Sequence, residues 1–157
     1  MQRTDGKAES DAAALQAAQS AFDETPCNNL ALRQASRHLS QVYDRHLAST
    51  RLSGSQYSIL SRLARLGPMT IGRLAEALVL DRTALGRALK PLQRDKLVAI
   101  AAGDDARIRQ VSLTAKGKTK FEAARVHWLK AQAEFEAAYG GEEAAVLRTA
   151  LRRVVTV

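Results

Sequence analysis

Residues 81–94 constrain this chain more than any other stretch. Read as a helix, DRTALGRALKPLQR has two unlike faces. At about 100° per residue, Leu85, Ala88, Leu89 and Leu92 fall on one side, and Thr83, Arg87, Lys90 and Arg94 on the other. The apolar side needs a core beneath it, and the basic side suits water or phosphate. The period then changes. Leu97 to Ile100 and Ile108 to Leu113 read as two antiparallel strands, with Val111 and Leu113 alternating with Gln110 and Ser112. Gly103-Asp104-Asp105-Ala106 between them is turn chemistry.

Upstream, Ser53 and Gln56 form an S-x-x-Q capping box. The helix it opens is expected to bury Tyr57, Leu60, Leu63 and Ala64 and to stop at Gly67-Pro68. Thr70 is placed to cap a further helix whose apolar face is Ile71, Leu74, Ala75 and Leu78. Val79 to Asp81 then leave a short turn, and Asp81 caps the two-faced helix. Pro91 removes a backbone donor and crowds the preceding turn. Because the apolar spacing continues to Leu92, a kink or tightened turn is expected there rather than a stop. Two short helices joined by a tight turn, the second basic and followed by a basic hairpin, outline a winged helix-turn-helix.

Both ends carry long apolar seams. Leu32, Ala35, Leu39, Val42 and His46 step by three and four, as do Phe121, Ala124, Trp128, Ala131 and Phe135 in a helix running from Thr114 to about Tyr139. Gly140-Gly141 breaks that helix, and a last one presents Val146, Leu147, Ala150, Leu151 and Val154. A winged module is too small to cover so much apolar surface. The expected fold is therefore mainly α with a small β component. Residues 53–114 form the winged module, 26–50 and 115–157 pair with a second copy, and 1–25 are a flexible or loosely helical extension. Trp128 falls on the seam assigned to the second copy.

Lys and Arg number 24 against 16 Asp and Glu, a net charge of +8 that favours a polyanionic partner. Aromatic residues make up only 4%, too few for single-strand stacking platforms. The single cysteine forbids an internal disulfide and fits a reducing, cytoplasmic setting. No apolar run nears the ~20 residues of a membrane span, and the N-terminus has no signal-like apolar segment, so no membrane partner is expected. Phosphate loops, dinucleotide fingerprints and nucleophile elbows are all missing from the sequence, so it does not read as an enzyme. Without C-x-x-C or H-x-x-x-H, no metal or cofactor is expected.

Asp105-x-Arg107, Val111, Leu113-Thr114 and Gly117 match the pattern D-x-R-x-x-x-[VIL]-x-L-T-x-x-G. Gln56-Tyr57-x-x-Leu60, Ile71-x-x-Leu74-Ala75 and Leu80-Asp81-x-x-x-Leu85 add to it. In these residues, over roughly 28–155, the chain resembles the MarR family of bacterial transcriptional regulators. It departs at Lys96, where that family usually has a glycine before the first wing strand. If the position takes a positive φ, lysine costs about 1 kcal/mol there. The resemblance implies a homodimer whose two winged modules reach successive major grooves of a pseudo-palindromic, double-stranded operator. It also implies a repressor released by a small-molecule effector or by thiol oxidation.

The candidate DNA contacts are Arg82, Thr83 and Arg87 at base edges and Lys90 and Arg94 at phosphates. In the wing, Arg107 pairs with Asp105 or enters a minor groove, and Arg109 is a phosphate candidate. Thr70, at a helix start, offers backbone amides to phosphate or serves only as a cap. His38, Tyr43, Tyr57 and Arg62 are candidates for an effector pocket, and Cys27 for a redox sensor. A winged module that binds protein instead of DNA, as an anti-repressor, is the rival reading.

Overall fold

A computed structural model describes residues 27–103 and 108–156. The chain divides into two compact units, 1–38 and 39–157. Helix α1 spans Asn28–Leu47, and its residues 28–38, in the first unit, are all exposed. The expected extension 1–25 lies outside the described residues.

The second unit is built on locally encoded helix ends. A 3-10 turn, Ala48–Thr50, leads to α2 (Gly54–Leu66), α3 (Ile71–Ala77) and α4 (Arg82–Arg94). Strands β2 (Val98–Ala102) and β3 (Arg109–Leu113) follow, then α5 (Ala115–Tyr139) and α6 (Gly141–Val154). Ser53 and Gln56 close the capping box on α2. The side chains of Thr70, Asp81 and Thr114 accept the first free amides of α3, α4 and α5, from Arg73, Ala84 and Gly117. Helix α4 continues through Pro91 to Arg94 without a stop.

The core lies between these helices and the sheet. Leu47, Ile59, Leu60, Leu74, Leu85, Leu89, Leu92 and Val111 are fully buried. Two details differ from the sequence expectation. Ala64 is exposed, and Ile59 occupies the core in its place. Trp128 does not lie on a bare seam: its ring stacks on Tyr57 at 5.9 Å, beside the Tyr57–Phe121 stack at 5.5 Å. The indole therefore helps fasten α5 to α2 within one chain.

The hairpin gains a third strand. Met69–Thr70, here β1, pairs antiparallel with β3, giving the order β1-β3-β2. Ile100 and Met69 flank Val111 from either side, and Val98 faces Leu113. Gly117 is fixed by the corner where α5 starts, because a Cβ there would stand 1.9 Å from the Leu97 carbonyl oxygen.

Helices α3 and α4 end alike. Val79 N–H donates to Glu76 O at 3.1 Å and Leu80 N–H to Ala75 O at 2.9 Å. Lys96 N–H donates to Gln93 O at 3.0 Å and Leu97 N–H to Leu92 O at 2.8 Å. Both are Schellman closures, which require a left-handed residue. Val79 (φ 54°) and Lys96 (φ 57°) supply it where glycine would be unstrained. The positive φ anticipated for Lys96 is therefore present.

Between α1 and α5, Tyr43 hydroxyl donates to Gln132, and Arg45 and His46 pair with Glu134, His46 Nε2 at 2.6 Å. Burial, and then the Glu136 carboxylate, push the Tyr43 phenol up.

Candidate nucleic-acid interface

Helix α4 separates its faces as the sequence requires. Leu85, Leu89 and Leu92 lie in the core, and Arg82, Thr83, Arg87, Lys90 and Arg94 are exposed. The Asp81 cap, with its carboxylate oxygen 2.7 Å from Ala84 N, starts the helix with its basic face outward. Arg82 folds back over α3: its guanidinium and the Thr70 hydroxyl both come within 4 Å of the place a Gly72 Cβ would occupy. Thr70 and Arg82, twelve residues apart, therefore meet at one spot, although the Thr70 oxygen is engaged by Arg73 N at 3.2 Å. Arg94 is partly engaged, its Nε donating to Asp95 Oδ1 at 3.0 Å.

Arg109 is exposed at the turn end of the hairpin, opposite Ala102. Asp105 and Arg107, the proposed wing pair, lie outside the described residues.

The four pocket candidates separate. Tyr57 and Arg62 line a cavity of about 350 Å³, with Ser61, Arg65, Val79 and Trp128 among its other walls. Arg62 also donates to Ala77 O at 3.1 Å, satisfying a carbonyl at the end of α3. Tyr43 is instead committed to Gln132, and His38 is exposed in the first unit. The added walls Ser58, Ser61 and Arg65 follow Tyr57 and Arg62 along α2 at helical spacing, a signal readable in the sequence. Burial pushes the Tyr57 phenol up. Cys27 is exposed, and its Sγ accepts Leu30 N–H at 3.4 Å.

Among the described residues, no three His, Cys, Asp or Glu gather as a metal site. No described helix is long and apolar enough to cross a membrane.

A capped basic helix, a tight turn from α3 and a three-stranded wing define a winged helix-turn-helix. The profile of the MarR family matches residues 52–108. The M. tuberculosis transcriptional regulator MosR, solved in complex with DNA, shares 34% identity over 83% of this chain and 95% of its own, with a TM-score of 0.76. The uncharacterized HTH-type transcriptional regulator YwoH of Bacillus subtilis (strain 168) is 29% identical over 112 residues, 71% of this chain and 82% of that relative. A mutant MarR from E. coli, complexed with operator DNA, has a TM-score of 0.73 over 80% of this chain and 91% of its own. Its identity is only 20%, so it bears on the fold alone. The chain belongs to the MarR family, whose members are transcriptional regulators and not enzymes.

Proposed function

We propose that this protein is a homodimeric transcriptional repressor that binds a pseudo-palindromic, double-stranded operator and leaves it when a small molecule binds. The observation that carries the reading is the exposed stripe Thr83, Arg87, Lys90 and Arg94 over a leucine-filled underside on α4. A helix so supported can enter a major groove without giving up its core contacts. Arg87, on the N-terminal half, is assigned to a base edge, where a guanidinium can fork onto guanine O6 and N7. Arg82 and Thr83 are assigned to base edges beside Arg87; Lys90, Arg94, Arg109 and the amides beside Thr70 to phosphates; and Arg107 to the minor groove or to Asp105. The DNA complex of MosR supports the same reading.

Dimerisation is assigned to 26–50 and 115–157. Leu30 and Leu32 on α1, Val126 and Leu129 on α5, and Val146 and Val154 on α6 all remain exposed in the single chain. A second copy would bury them. The cavity walled by Tyr57, Arg62 and Trp128 is the site assigned to the effector.

Anisotropy titrations of genomic fragments across a salt series test the reading. Binding should weaken steeply with salt, by about 0.9 in log K per log salt for each phosphate contact. Arg87→Ala should flatten the preference among fragments more than it lowers nonspecific affinity, and a uniform loss would make Arg87 a phosphate contact. A protein that binds no fragment at low salt belongs to the protein-binding rival.

A second reading, thiol sensing, is favoured by the exposure of Cys27. Under it, peroxide releases the parent protein from DNA but leaves Cys27→Ser bound. A parent indifferent to peroxide removes it.

A further inference from the structure

Three cations gather around Asp95 where the chain leaves α4 and enters α5, and exposed Lys96 follows it in the chain. Arg94 ends the stripe on α4 and holds the Asp95 carboxylate at 3.0 Å. Lys116 Nζ donates to the Asp95 carbonyl oxygen at 2.9 Å, and the Thr114 hydroxyl donates to the Lys96 carbonyl at 2.7 Å. These bonds bring residues 21 and 18 positions apart onto one corner. The Asp95 carboxyl is held below the usual carboxylate range, by the Arg94 hydrogen bond first and by the nearby charges of Lys116 and Lys120 as well. One carboxylate thus stands among Arg94, Lys116 and Lys120, and the corner retains a surplus of positive charge.

Lys96 supplies a second observation. It holds a left-handed conformation at an exposed position where glycine would be unstrained. The placement of the corner is equally specific. Arg87, Lys90 and Arg94 climb one face of α4, about 10 Å from first to last at 1.5 Å per residue. A major groove is about 12 Å wide. An α4 that crosses the groove with Arg87 at the base edges would put Arg94 at the groove wall and the corner around Asp95 beyond it.

We infer that Lys96, Lys116 and Lys120, continuing from Arg94, form a clamp on backbone phosphates of the duplex outside the operator half-site. The inference rests on the DNA-binding reading and adds a partner surface to it: flanking duplex, read by charge and without sequence preference. Affinity then depends on how far the DNA extends past the bases that are read.

The test compares two duplexes, one trimmed to the nuclease footprint on a bound genomic fragment and one extended by about ten base pairs at each end. The full-length protein and Lys116→Gln/Lys120→Gln are titrated against both across a salt series. The parent should bind the extended duplex more tightly and with a steeper salt slope. The variant should lose that gain, about fivefold per lost contact at 0.15 M salt and about 0.9 in slope, while keeping its affinity for the trimmed duplex. Lys116→Arg/Lys120→Arg keeps the charges and should keep the gain. Equal affinity of the parent for both duplexes overturns the clamp. So does an equal loss on both duplexes in the glutamine variant, because the contacts then lie inside the operator. A parent that binds neither duplex overturns the DNA-binding reading itself, and the clamp with it.

Discussion

Replacing Lys96 by glycine should stabilise the protein. Lys96 sits at the left-handed position of the Schellman closure on α4, with φ 57° and an exposed side chain. A non-glycine residue in that conformation costs about 1–2 kcal/mol. Glycine removes the cost but gives the unfolded chain more freedom, worth about 0.4–1 kcal/mol. The difference leaves about 0.5–1 kcal/mol in favour of Lys96→Gly. For a chain of this size that raises Tm by about 1–4 °C. Thermal melts of the parent, Lys96→Gly and Lys96→Ala, all at one protein concentration, isolate the backbone effect, since association ties Tm to concentration. Alanine keeps its Cβ and hence the strain, so it should melt within about 2 °C of the parent. A glycine variant melting no higher than the alanine variant would refute the reasoning. The same substitution removes one cation from the corner around Asp95. Stability and affinity for extended duplex should therefore move in opposite directions.

Gly117→Ala should be severe, because the new methyl would stand 1.9 Å from the Leu97 carbonyl and force α5 away from the wing. A loss of about 3 kcal/mol or more in urea unfolding is expected; a loss under about 1 kcal/mol would mean the corner yields freely. Glu134 gives a pH test. The His46 hydrogen bond, with Arg45 adding, holds its carboxyl below the ordinary value. A depressed carboxyl stabilises the fold above its ordinary range, and that contribution disappears as pH falls through the folded value. The stability gap between the parent and Glu134→Gln should thus close in acid; a gap constant from pH 7 to pH 3 would rule the pairing out.

What could be read from the sequence was local. The caps Ser53, Thr70 and Asp81 each act on an amide three residues away, and the two faces of α4 follow from one helical period. What escaped required distant chain to arrive. Met69–Thr70 is too short to read as a strand and becomes one only because β3 lies beside it. Trp128 fits a subunit seam by spacing, yet Tyr57 claims it. Ala64 has the right residue type for the core but points away from it. Of the pocket candidates, Tyr57 and Arg62 share a cavity because both lie on α2, whereas Tyr43 turns to Gln132. The cluster at Asp95 was hidden because Asp95 and Lys116 are neighbours only once the hairpin has brought the chain back.

Trp128 is the sole indole of the chain, and it rests on a phenol ring at the rim of the Arg62 cavity. Its intrinsic fluorescence is therefore a label already in place, needing no dye and no mutation. A compound settling into that hollow, or any parting of α2 from α5, alters the surroundings of one chromophore. The emission spectrum of the unmodified protein then reports both events.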